Sequence, residues 1–157
     1  MPAANTERLP TRAEIADESD PLDSACAIKN FHGKTVAEAE KLFAGAANSL
    51  TYTEDLSWMR PVGFRYYIRA AIRHALSERA TGDSDLINGI ASTLEDWHEQ
   101  HPGELTSCAC VLAEFCHAVT EQFDRYDADP TIYVGLRDQY QRLAELFTRI
   151  SNGAGSA

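Results

Sequence analysis

From Thr35 onward the apolar positions recur every three or four residues, the period of an amphipathic helix. No segment alternates convincingly over the length of a strand. Val36, Ala39, Phe43 and Ala46 form the first stripe. It follows a capping box in which the Thr35 side chain can accept from the Glu38 amide and the Glu38 carboxylate can reach back. A short helix is expected around residues 54–59. Pro61 then restricts Arg60 and suits the first turn of a helix reaching to about residue 79. On that helix Phe64, Ile68, Ala71, Ile72 and Ala75 share one face, with Tyr67 at its edge.

A turn at residues 81–83 places Asp83 or Ser84 as the cap of a helix over residues 85–100. Its buried stripe is Leu86, Ile87, Ile90, Leu94 and Trp97. Thr106 or Ser107 is expected to cap the next helix, to about Tyr126, with Cys108, Val111, Leu112, Phe115, Val119, Phe123 and Tyr126 inward. Asp129 as cap and Pro130 at the first position open a last helix that buries Ile132, Leu136, Tyr140, Leu143, Phe147 and Ile150. Gly63, Gly89 and Gly135 fall inside predicted helices and mark close packing. The pattern predicts an all-α protein, a compact bundle of five or six mostly antiparallel helices.

Residues 1–30 are polar and acidic, with Pro2, Pro10 and Pro21, and read as a flexible acidic arm carrying one short helix near residues 12–17. Residues 31–150 read as a single helical domain, which suits a chain of 157 residues. Residues 151–157 read as a disordered tail. No apolar run approaches the roughly 20 residues that span a bilayer, and the start lacks a basic region followed by an apolar stretch. A cytoplasmic protein is expected, with Cys26, Cys108, Cys110 and Cys116 as thiols.

Charge changes the picture most. The formal net charge is −10, distributed as −3 over residues 1–30, +2 over residues 31–79 and −9 over residues 80–157. Such a surface disfavours nucleic acid and anionic membranes and favours a basic partner.

Two Glu-x-x-His pairs, Glu95 with His98 and Glu114 with His117, lie on consecutive predicted helices. In ferritin-like bundles such pairs, with two further glutamates, hold a di-metal centre. The ligands must point inward, however, and at about 100° per residue Glu114 and His117 fall opposite the apolar face, beside Glu121 and Asp124. Cys108 and Cys110 diverge by roughly 200° on a helix, so they do not converge on zinc. No nucleophile elbow and no phosphate-cradling glycine loop is present. No cofactor is implied.

The basic middle segment holds Arg65, Arg69 and Arg73 at four-residue spacing along one flank, with Tyr66 beside Arg69 and Arg73 on the outer side. Either this flank is solvated and its arginines pair with the acidic C-terminal half, or it is a docking surface, since exposed Tyr and Arg are enriched at binding hot spots. Trp58, Pro61, Phe64, Arg65, Tyr66 and Tyr67 resemble an aromatic-Pro-x-x-Phe-Arg-Tyr-Tyr motif of a small bacterial all-helical family of unknown function. The likeness covers about residues 31–150. It implies a fold signature and no established activity. Some such small acidic helical proteins look like immunity proteins encoded beside secreted toxins.

Three functions fit these features. The first is a non-enzymatic protein that binds another protein, as an immunity protein binds a basic toxin domain. Its candidate surfaces are Tyr66, Arg69 and Arg73, or the outward acids Glu114, Glu121 and Asp124. The alternative is a metal-binding or enzymatic bundle using Glu95, His98, Glu114 and His117. The third is a module that forms homo-oligomers through its last helix.

Overall fold

The computed structural model describes residues 7–44 and 49–154. Those residues form eight α-helices and four 3-10 segments, with no strand. The all-α class stands, with more helices than the five or six expected. Residues 1–30, read as an arm with one short helix, carry the start of the fold: the expected short helix and a second, unexpected one. α1 (Arg12–Ile15) starts at a Thr11–Glu14 capping box, and α2 (Asp23–Phe31) follows. Ile15, Ala16, Ala27, Ile28 and Phe31 are buried, so residues 12–31 belong to the core. α1 is held where the chain enters α5: the Arg60 amide donates to the Ile15 carbonyl at 2.7 Å. Gly63 makes this approach feasible, since a Cβ there would stand 2.7 Å from the Ile15 Cα.

α3 (Val36–Glu40) carries the expected capping box between Thr35 and Glu38, and continues into a 3-10 segment, Lys41–Ala44. Val36, Ala39 and Phe43 are buried as expected; Ala46 lies outside the described residues. α4 (Ser49–Ser57) begins earlier than predicted. α5 (Pro61–Leu76) opens on Pro61 and is buried on nearly every side, because α1, α3, α4, α6 and α7 all pack around it. The Tyr67 hydroxyl donates to the carbonyls of Phe31 and Lys34 at 2.7 and 2.8 Å and ties the end of α2 to α5. At the other end of α5, Arg125 and Tyr126 both donate to the Ala75 carbonyl, which closes an unsatisfied helix terminus.

α6 (Ser84–Gln100) is capped by Asp83, whose carboxylate accepts from the Leu86 amide. Its whole expected stripe is buried. α7 (Ala109–Glu121) begins at Cys108 with no side-chain cap, so neither Thr106 nor Ser107 plays that part. Leu112, Phe115, Val119 and Tyr126 are buried as expected, with Cys108 and Phe123 partly buried against the core. Cys116 is fully buried and Val111 is 47% exposed, because α7 lies between α5 and α8.

α8 (Leu136–Ala154) starts six residues after Pro130 and runs past Ile150. Asp129 caps a local turn instead, accepting from the Thr131 amide and hydroxyl. Gly135 then takes φ +73°, which interrupts a right-handed helix. Ile132, expected inside, is 71% exposed. Leu136, Tyr140, Leu143 and Phe147 are buried against α6 and α7, as expected. No described helix is long and apolar enough to cross a membrane.

Helix directions follow from the contacts. Ser49 meets Asp83, Thr53 meets Thr93 and Leu56 meets Trp97, so α4 and α6 run parallel. Phe64, early in α5, stacks on Trp97, late in α6, at 4.2 Å, so those two run antiparallel. Phe123 lies under Arg137 and His117 reaches Thr148, so α7 and α8 are antiparallel as well.

Candidate functional site

The arginine flank of α5 is occupied by its own chain. Arg65 donates to the Glu104 carboxylate at 2.8 Å and to the Glu104 carbonyl at 3.2 Å. Arg69 holds both oxygens of Glu7, at 2.7 and 3.0 Å, which keeps the Glu7 carboxyl below its ordinary range. Arg73 pairs with Glu40 at 3.2 Å. Two of the three carboxylates therefore come from the N-terminal third, not from the acidic C-terminal half. Tyr66, expected on the outer side, is only 8% exposed. α3 lies across that side of α5, and burial pushes the phenol up. A cleft of about 340 Å³ runs beside this flank. The guanidinium groups that line it, Arg8, Arg65 and Arg69, are each already paired with a carboxylate.

The acids of the opposite region are differently placed. Glu114, Glu121 and Asp124 are exposed on α7 and just beyond it. None forms an ion pair among the described residues, and Glu114 meets only the Cys110 thiol at 3.8 Å. This is an unneutralised negative face.

The two Glu-x-x-His pairs do not meet. α8 packs against both α6 and α7. Glu95 and His98 line a groove with Arg142 and Arg149, whose charges oppose a cation there. His117 reaches Thr148 on a different flank of α8 at 3.4 Å. No group of three His, Cys, Asp or Glu converges among the described residues. Of the thiols, Cys116 is pushed up to about 12 by burial, and Cys108 is raised for the same reason. Both shifts disfavour the thiolate that nucleophilic chemistry needs.

A third feature escaped the sequence reading. Because α4 and α6 are parallel, their C-terminal ends lie together. Between them is a cleft of about 260 Å³ lined by Glu54, Ser57, Trp58, Asp96, Trp97, Gln100 and His101. Trp97 is fixed from behind by the Phe64 stack and by its indole N–H, which donates to the Leu56 carbonyl at 3.2 Å. His101 covers its other face, 4.3 Å between centroids. Trp58 forms a wall and is 46% exposed. A signal was present in the chain: Glu54 and Asp55 precede Trp58, and Glu95 and Asp96 precede Trp97. Pairing α4 with α6 past the intervening α5 was not legible from it.

No protein-family profile, curated protein or solved structure matches the chain.

Proposed function

We propose that this is a non-enzymatic helical protein that acts by binding a basic protein partner, in the manner of an immunity protein neutralising a toxin domain. One observation carries the reading: the division of charge. The arginines of α5 are each paired within the chain, whereas Glu114, Glu121 and Asp124 stand exposed with no ion pair among the described residues. In a chain of net charge −10, such a face attracts cationic surfaces and speeds their association. The immunity-protein version rests on the acidity; the likeness carried by Trp58, Pro61, Phe64, Arg65, Tyr66 and Tyr67 implies a fold and no activity. Five of those six residues lie on α5 and three of them, Phe64, Tyr66 and Tyr67, are buried there, which suits a fold signature.

The test is affinity capture on the tagged full chain from the source cells at low salt, with identification of what elutes as salt is raised. The expected partner is a protein with positive net charge. It should stay bound near physiological ionic strength, where the screening length is about 8 Å, and be released as salt is raised further. An acidic partner, or one indifferent to salt, would count against the reading. A stoichiometric transition metal in the purified protein, lost on Glu114→Ala, would favour the metal-binding alternative instead.

A further inference from the structure

We propose that the cleft between the C-terminal ends of α4 and α6 is a socket for one basic side chain, arginine or lysine, presented by a protein partner. Four observations converge on a cation. Glu54 and Asp96 line the cleft, and neither has an ion pair or a side-chain hydrogen bond among the described residues. No lysine or arginine lines it, whereas four other clefts of similar size each contain at least one. The nearby Arg60 is turned away, its guanidinium donating to the Ala13 carbonyl at 3.3 Å. The second observation is the pair of helix ends. α4 ends at Ser57 and α6 at Gln100, so two sets of C-terminal carbonyls meet at the cleft, offset in part by the N-terminus of α5, which opens at Pro61 at the same end.

The third observation is the aromatic wall. Trp58 presents an indole to solvent beside two carboxylates, and a cation over an indole face is attracted by the ring quadrupole. Trp97 is already packed on both faces, so it acts as a rigid floor. The fourth is size. At about 260 Å³ the cleft is smaller than the roughly 300–1,000 Å³ of small-molecule sites. It suits one anchoring side chain, the kind of contact that dominates protein interfaces.

This socket rests on the protein-binding reading for the source of the side chain, but it is tested without the partner. The chain has two tryptophans, Trp58 and Trp97, and both line the cleft, so intrinsic fluorescence reports occupancy. The full chain is titrated with N-acetyl-arginine amide, N-acetyl-lysine amide and the neutral N-acetyl-citrulline amide at constant ionic strength. At least one cationic probe should shift the emission saturably, with a dissociation constant of roughly millimolar order. The neutral probe should not. Glu54→Gln combined with Asp96→Asn should weaken the cationic probe about tenfold or more, with the helical circular dichroism unchanged. Glu121→Ala with Asp124→Ala, far from the cleft, should leave the titration as it was. Equal response to citrulline amide, no response to either cation, or unaltered binding in the Glu54/Asp96 variant would overturn the socket. Once a partner is captured, the same variant should lower its affinity by about tenfold. Unchanged affinity would remove the socket from the interface, whereas loss in the α7 variant alone would leave the wider reading intact.

Discussion

Arg65, Arg69 and Arg73 climb α5 at four-residue spacing, and each ends on a carboxylate of the same chain. Pairs this exposed contribute little to stability, about 0–1 kcal/mol each. Their consequence is electrostatic: they neutralise the basic segment from within and leave acids elsewhere unbalanced. His74, one residue on, behaves in the opposite way. It is 2% exposed, and loss of water holds its imidazole below the ordinary value of 6.5. Asp83 and Glu40 nearby favour the charged form and Arg79 disfavours it, but burial is the largest effect. The unfolded chain therefore takes up a proton that the folded chain resists. The part of the stability that depends on neutral His74 is full above about pH 6.5 and is lost progressively as the pH falls below it, toward the lower folded-state value. The denaturant midpoint should drop between pH 7.5 and pH 5.5, and His74→Gln should flatten the drop. An equal drop in the variant would show that other groups carry it.

At the scale of elements, α5 organises the molecule. Its N-terminal end is held by α1, its middle by its own Tyr67 hydroxyl, which donates to the Phe31 carbonyl at the end of α2, and its C-terminal end by Arg125 and Tyr126. If α1 is part of this core, Ile15→Ala should cost about 2–5 kcal/mol, like other large-to-small changes at buried sites. Phe147→Ala on α8 should cost about 3–5 kcal/mol. Denaturant unfolding measures both; an Ile15 variant within about 0.5 kcal/mol of the parent would return α1 to the status of an arm. Periodicity made α5, α6 and most of α8 legible, because each carries several large residues on one stripe. It failed where the stripe was short or local chemistry intervened. Ile15 is a single anchor in a polar segment, and its docking depends on the missing side chain of Gly63. The Asp129 turn and Gly135 override the helical spacing of Ile132. On α7 a buried cysteine outweighs a valine, since the helix is covered from two directions. Of the candidate sites, the outward acids were legible from the wheel. Tyr66 was not, because an amphipathic wheel assumes one covered face and α5 has several.

Over the whole molecule, charge and shape agree. The helices from α4 to α8 alternate in direction, which puts the ends of α4 and α6 together and presents Glu121 and Asp124 on another face. A cationic partner would meet an exposed acidic surface and, at the α4–α6 end, a socket for one side chain. The central claim is that binding runs through the unpaired acids and not through the arginine flank. The measurement that addresses it most directly is the association rate of the captured partner at low and physiological ionic strength. It is compared for the parent chain, Glu121→Ala with Asp124→Ala, and Arg69→Gln with Arg73→Gln. The acidic variant should associate more slowly at low salt and lose most of its salt dependence, with its denaturant midpoint nearly unchanged. The arginine variant should associate as the parent does. A normal rate in the acidic variant, together with faster dissociation in the arginine variant, would contradict the account and move the interface to α5.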